Sequence, residues 1–102
     1  MLYVCLLNWN TSTSPELREA ALARRAQWSY PAGAKQVAEY WLSSGNPAVI
    51  AVVEADSFEP LFELDLAWRD VFNIEVHPAT TAEQGLQIGA NIMQRRGQAS
   101  GA

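Results

Sequence analysis

Two stretches of the chain are almost continuously apolar. Residues 2–9 (LYVCLLNW) and 48–55 (AVIAVVEA) are short and rich in aliphatic, aromatic and β-branched side chains, a pattern typical of strands that are buried on both faces. Residues 34–43 and 72–79 instead alternate apolar and polar side chains, which predicts half-buried strands. The short turn at 44–47 indicates that the strands on either side of it pair as an antiparallel hairpin.

A helix is predicted between the first two strands. Ser14 can cap its N-terminus and Pro15 suits the first helical position. The helix should end near Trp28, because Pro31 and Gly33 follow. Helical spacing predicts a buried face formed by Leu17, Ala21 and Trp28. The opposite, solvent-facing side carries Arg18 and Arg25.

Two more helices are predicted, one after the third strand and one at the end of the chain. Asp56 or Ser57 should open the second helix, with Pro60 in its first turn. Residues 81–84 fit a capping box for the third helix, and residues 97–102 predict a flexible tail after a single domain over residues 1–96. Apolar residues separated by three, four and three positions predict the buried face of the second helix: Leu61, Leu64, Trp68 and Val71.

The predicted order is β-α-β-β-α-β followed by a C-terminal helix, which is the ferredoxin-like α+β pattern. Right-handed crossovers place the first two helices on one face of a four-stranded antiparallel sheet. The other face is then uncovered, although the first and third strands have no polar side. Packing two such sheets face to face removes this exposure, so we expect a homodimer.

The composition of the chain limits the classes of function that it can have. The 102 residues are 49% hydrophobic with a net charge of −4, as expected for one globular domain. Basic residues adjoin only at Arg24-Arg25 and Arg95-Arg96, so no nucleic-acid partner is expected. The single cysteine, Cys5, excludes an internal disulfide and favours a cytoplasmic location.

Metal and membrane binding are likewise not expected. One cysteine and one histidine are too few for a His/Cys zinc site within one chain. The apolar start, residues 1–7, is too short for a membrane span and lacks the basic lead of a signal peptide. We therefore expect no metal, no cofactor and no membrane partner.

Five fragments of the chain carry a family resemblance: MLYVCLLNW (1–9), PAGA (31–34), VEAD (53–56), WRDVF (68–72) and EVHP (75–78). In this order they resemble the dimeric α+β barrel superfamily and, within it, the small bacterial proteins of the DUF3303 family, a domain of unknown function. The resemblance spans about residues 1–80 and implies a homodimer whose sheets form a central barrel. It supplies no reaction, because the superfamily includes monooxygenases, polyketide cyclases and haem-degrading enzymes.

The haem-degrading relatives use an Asn, a Trp and a His. Asn8 lies on the first strand, as that resemblance requires. Those enzymes place the Trp at the end of the third strand and the His on the second helix. Here Trp68 lies on the second helix and His77 on the fourth strand. The resemblance therefore does not extend to haem.

Three side chains are candidate catalytic residues. His77 is the only imidazole and can act as a general base, or it can be an ordinary strand-end residue. Glu75 lies two residues away on the same strand face, where a Glu–His pair would form a base poised near neutrality. Glu39 shares a face with Trp41, and burial in a sheet raises the pKa of a carboxyl group. The alternative for both glutamates is an exposed position at a strand end, or an interface ion pair with Lys35 or an arginine.

The aromatic residues favour a binding function. Four tryptophans in 102 residues can line a pocket for a flat hydrophobic ligand, or they can form the core and a dimer interface. We place the ligand between the helices and the sheet, near the C-terminal end of the first strand. Residues 28–31 return there from the first helix as a flap. The predicted ligand-binding residues are Asn8, Trp9, Trp28, Tyr30 and Tyr40.

Two functions follow from these observations. The first is a dimeric barrel that binds a small apolar or aromatic ligand without catalysis. The second is a cofactor-independent monooxygenase, cyclase or isomerase acting on an aromatic substrate. In that enzyme one of the three candidate bases would abstract a proton, while Asn8 or Tyr40 would donate a hydrogen bond to the enolate.

Overall fold

The computed structural model describes residues 1–101, with side chains described for residues 1–98. The element order is the predicted one, so the fold is a ferredoxin-like α+β fold with a C-terminal helix. Strand boundaries agree with the sequence pattern within one or two residues. The elements are β1 (Leu2–Trp9), α1 (Pro15–Gln27), β2 (Lys35–Trp41), β3 (Val49–Glu54), α2 (Glu59–Trp68), β4 (Phe72–Ala79) and α3 (Ala82–Gly101).

The sheet has the strand order β2-β3-β1-β4, and every neighbouring pair is antiparallel. Side chains alternate between its two faces, so the register decides which residues lie together. The face that carries α1 and α2 includes Tyr3, Cys5, Leu7, Glu39, Trp41, Val49, Ala51, Val53, Ile74 and Val76. The opposite face, which we name the open face, includes Val4, Leu6, Asn8, Ala38, Tyr40, Ile50, Val52, Glu75 and His77.

The core lies between the sheet and the two helices, and α2 provides most of the helical contribution. The predicted stripe of α2 is confirmed, because Leu61, Leu64, Trp68 and the following Val71 are all buried. Pro60 lies in the first turn, as expected. The start is later than predicted, since α2 begins at Glu59 without a side-chain cap.

The N-terminus of α1 is capped as the sequence predicts. The hydroxyl oxygen of Ser14 accepts a hydrogen bond from the backbone N–H of Leu17 at 3.2 Å, and Pro15 occupies the first helical position. The helix ends at Gln27, with Trp28 as its C-cap. Only Ala21 of α1 is buried, so this helix packs less closely on the sheet than α2.

Removing the Ser14 cap is expected to lower the free energy of unfolding by about 1 kcal/mol, because one N-terminal N–H of α1 loses its acceptor. Urea unfolding of Ser14→Ala followed by circular dichroism measures this change. Ser12→Ala, in the preceding loop, is the control and should stay within about 0.5 kcal/mol of wild type. Equal effects of the two substitutions would contradict the capping role.

The turn that leads into β2 depends on one glycine. The carbonyl of Pro31 accepts a hydrogen bond from the N–H of Ala34 at 3.0 Å, and Gly33 between them has φ +90°. Such a φ is characteristic of the third residue of a type II turn and strongly favours glycine. This turn fixes the position of Tyr30 just before it.

Helix α3 begins with the predicted capping box and extends further than expected. The N–H of Gln84 donates to the hydroxyl oxygen of Thr81 at 3.0 Å, and the Gln84 side chain accepts from the N–H of Thr81 at 3.4 Å. The backbone stays helical to Gly101, and the flexible tail expected over residues 97–102 stays a prediction; Ala102 lies outside the described residues. None of the described side chains of α3 is buried.

Candidate functional site

A cavity of about 300 Å³ lies between α1 and the helix-bearing face of the sheet. Three alanines on its walls, Ala21, Ala48 and Ala51, leave this space because they carry no side chain beyond Cβ. Large aromatic rings complete the wall, including all four tryptophans of the chain: Trp9, Trp28, Trp41 and Trp68.

The aromatic rings hold one another in place. Trp9 stacks on Phe72 with ring centroids 4.3 Å apart. The ring of Trp68 contacts Phe72 and Trp28 at 5.9 and 5.7 Å. Trp28 in turn lies 4.8 Å from Tyr30. A connected set of rings is a rigid wall, which suits recognition of an apolar molecule.

The mouth of the cavity lies between α1 and the edge strand β2. We define it by Leu22, Trp41 and Leu42, which line the cavity and keep exposed fractions of 56%, 57% and 41%. Large apolar side chains exposed together at an opening are a common feature of binding sites. The deeper wall is formed by buried residues such as Leu7 and Leu64.

One carboxylate forms the polar corner of the cavity. Glu39 is nearly buried, with 9% of its side chain exposed, and it forms a two-point ion pair with Arg25 at 2.9 and 3.1 Å. The hydroxyl of Tyr30 donates to Oε1, and the indole N–H of Trp41 donates to Oε2 at 2.6 Å. Each carboxylate oxygen therefore accepts two hydrogen bonds.

These contacts determine the protonation states of Glu39 and Tyr30. Burial acts to raise the pKa of Glu39, but hydrogen bonds from Arg25, Tyr30 and Trp41 outweigh it, and the pKa lies below its usual range. Burial and the hydrogen bond to Glu39 raise the pKa of Tyr30. Glu39 is thus ionised and fully hydrogen-bonded, which does not favour it as a general base.

The inward face of α1 differs from the prediction. Arg18, Ala21, Leu22 and Arg25 line the cavity at helical spacing, whereas Leu17 is 48% exposed. Prediction from hydrophobicity alone was wrong here because both arginines contact groups on the sheet side.

Contacts with residues distant in the sequence explain why the two arginines of α1 face the cavity. The guanidinium of Arg18 lies 5.2 Å from the centre of the Trp9 ring, and that of Arg25 lies 5.4 Å from Trp28. Arg25 also neutralises Glu39. The sequence signal that could have shown this is the spacing of Arg18 and Arg25, seven residues apart with small or apolar residues between them on the same stripe.

A second arginine clamp lies outside the cavity. Arg24 pairs with both carboxylate oxygens of Asp70 at 2.9 and 3.0 Å, and its guanidinium lies 4.2 Å from the centre of the Trp68 ring. The hydrogen bonds from Arg24 lower the pKa of Asp70. This contact joins α1 to the segment after α2, and it supports the aromatic wall from behind.

The five predicted ligand-binding residues do not line one cavity. Trp9, Trp28 and Tyr30 do, but Asn8 and Tyr40 lie on the open face. The reason is the two-residue period of a strand: each of them is adjacent in sequence to a cavity residue, so it points to the other side of the sheet.

The remaining catalytic candidates also lie on the open face. Glu75 and His77 are both 56% exposed, with Oε1 and Nε2 3.5 Å apart, and the Asn8 amide donates to Glu75 at 3.2 Å. The predicted pairing of Glu75 with His77 on one strand face is therefore observed. These groups are separated by the sheet from the cavity and from Trp68, so the Asn, Trp and His types of haem-degrading enzymes do not converge.

Other chemistry has little support among the described residues. In that part of the chain, no three His, Cys, Asp or Glu side chains come together as a metal site. Cys5 is buried, and burial raises the pKa of its thiol to about 11, so it is not an activated nucleophile. None of the described helices is long and apolar enough to cross a bilayer.

Comparison with known proteins gives one match. No curated protein and no solved structure matches the chain at a significant level. The family model described as "Domain of unknown function (DUF3303)" matches residues 1–92, which include the whole sheet, α1, α2 and the first half of α3. The chain therefore belongs to the DUF3303 family.

Proposed function

We propose that this protein binds one small molecule with an apolar or aromatic body in the cavity beneath α1. The observation that carries the proposal is the convergence of all four tryptophans on one opening. The volume of the cavity, about 300 Å³, is at the lower end of the range for small-molecule sites. A single aromatic ring system or a short aliphatic chain fits such a space.

The polar corner supports binding because it needs nothing from the ligand. Glu39 and Arg25 satisfy each other, and Tyr30 and Trp41 complete the set. The cavity wall therefore presents apolar rings without an unpaired buried charge. A preformed wall of this kind loses little conformational entropy when a ligand enters.

The proposal is tested with N-phenylnaphthylamine, an uncharged dye that becomes fluorescent in apolar sites. We expect wild type to bind it at one site per chain. Ala21→Phe fills the cavity and should weaken binding at least about tenfold, because the added ring occupies the ligand space. Circular dichroism verifies that the variant is folded.

Ala23→Phe is the matched control, since Ala23 lies on the same helix but is exposed and does not line the cavity. It should bind the dye as wild type does. Equal dye affinities of Ala21→Phe and wild type, or no binding by wild type, would refute the proposal and leave the aromatic rings as packing.

We further propose that the protein is a homodimer in which two open faces meet. Val4, Leu6, Ile50 and Val52 form an apolar centre on that face and remain partly exposed in one chain. Helix α3 carries apolar side chains that stay largely exposed, with Leu86 76% and Met93 65% exposed.

A second copy is the occupant that explains both features. Helix α3 follows the edge strand β4, and the chain extends over 64 Å along its longest axis, so α3 projects away from its own sheet. Contact between two copies can cover the sheet face and the projecting helix in one closed two-fold assembly.

The enzyme alternative and the cytoplasmic location stay predictions. A proton-abstracting enzyme needs its base beside the bound substrate, yet Glu75 and His77 lie on the opposite side of the sheet from the cavity. Ligand binding without catalysis is therefore the function that the geometry favours.

A further inference from the structure

The two arginines that line the cavity have different partners. Arg25 is held in the corner by both oxygens of Glu39. Arg18 lines the cavity two helical turns before Arg25, and its guanidinium lies over the ring of Trp9. Among the described residues, no carboxylate forms an ion pair with Arg18.

The charge balance of the cavity follows from this difference. The negative charge of Glu39 is cancelled by Arg25, and each of its oxygens already accepts two hydrogen bonds. A cationic ligand group would find no unoccupied carboxylate oxygen there. Arg18 remains as a positive charge on the wall, with its donors available to an oxygen acceptor.

We propose that the ligand is an organic anion: an aromatic or aliphatic body that carries one acidic group, which Arg18 binds. This inference rests on the proposed binding function and names the ligand class of the same cavity. The body contacts the tryptophans, and the acidic group forms a charge-assisted hydrogen bond with the Arg18 guanidinium. Stacking on Trp9 limits the freedom of that guanidinium and so reduces the entropy lost on binding.

The inference is tested with a pair of dyes that differ by one charged group. Anilinonaphthalene sulfonate has the same rings as N-phenylnaphthylamine and an added sulfonate. Wild type should bind the sulfonate more tightly than the neutral dye. Arg18→Gln should weaken binding of the sulfonate about tenfold more than it weakens binding of the neutral dye. Arg18→Lys should retain part of the preference, because the positive charge remains.

Arg69→Gln is the matched control, since Arg69 lies outside the cavity and pairs with Asp65 on α2. It should bind both dyes as wild type does. The wild-type preference for the sulfonate should also decrease as salt is raised, because the Arg18 charge is near solvent.

The outcomes separate this inference from the proposal beneath it. If the neutral dye binds and Ala21→Phe blocks it, but Arg18→Gln leaves sulfonate binding unchanged, the cavity is a ligand site and the anion inference is wrong. If neither dye responds to Ala21→Phe, the dyes bind elsewhere and both proposals fail. An equal loss of both dyes in a folded Arg18→Gln variant would indicate a purely structural role for Arg18 and would also overturn the inference.

Discussion

Glu39→Gln should lower the free energy of unfolding by about 2 kcal/mol at pH 7. The substitution removes the negative charge that faces Arg25, and it puts an amide N–H₂ where an oxygen now accepts two hydrogen bonds. Arg25 is only 28% exposed, so water compensates its charge incompletely after the change. Urea unfolding followed by circular dichroism measures the loss.

The same substitution should change how stability depends on pH. The folded-state pKa of Glu39 lies below its ordinary value of 4.5. A carboxyl group with a lowered folded pKa stabilises the native state above its unfolded pKa, and this contribution is lost as pH falls through the folded pKa. The difference between wild type and Glu39→Gln should therefore be largest near neutrality and shrink in acid.

Glu63→Gln is the control for this experiment. Glu63 lies on α2, is exposed, and forms none of the ion pairs found among the described residues. Its replacement should change the free energy of unfolding by less than about 0.5 kcal/mol. Similar losses in the two variants, or a Glu39→Gln effect that persists unchanged in acid, would contradict the assigned role of the corner.

The sequence predicts the sheet well because a strand has a simple period. Alternation places Glu39 and Trp41 on one face, and their hydrogen bond confirms it. Because adjacent residues of a strand point to opposite faces of the sheet, Asn8 and Tyr40 lie on the other face from Trp9 and Trp41. Asn8 and Tyr40 therefore lie across the sheet from the cavity, and their role in ligand binding stays a prediction.

The orientation of α1 was harder to predict than the sheet. The hydrophobic pattern predicts Leu17 on the buried face, yet Leu17 is exposed and Arg18 and Arg25 face inward. Their orientation depends on Glu39, fourteen residues after Arg25, and on the Trp9 ring in the preceding strand. Such tertiary contacts override helical hydrophobicity, and the one local sign of them in the sequence is the seven-residue spacing of the two arginines.

Val52→Asp should convert the proposed dimer into a monomer. Val52 lies near the centre of the open face, in register with Val4 on β1 and Ala38 on β2. In a two-fold dimer each chain contributes one substituted residue, so two unpaired carboxylates lie in one apolar interface. We therefore expect dimerisation to weaken by at least about 100-fold. Sedimentation at micromolar concentration should give about twice 11.2 kDa for wild type and the single-chain mass for the variant.

Two further variants separate the interface from folding. Val52→Thr keeps the β-branched shape and the strand propensity and adds a polar group without a charge, so it tests whether the charge is responsible. It should remain largely dimeric. Leu66→Asp makes the same apolar-to-acidic change on α2, where Leu66 is 52% exposed, and it should leave the mass unchanged. A wild-type protein that sediments as a monomer, or equal effects of Val52→Asp and Leu66→Asp, would rule out the open face as the contact between the two copies.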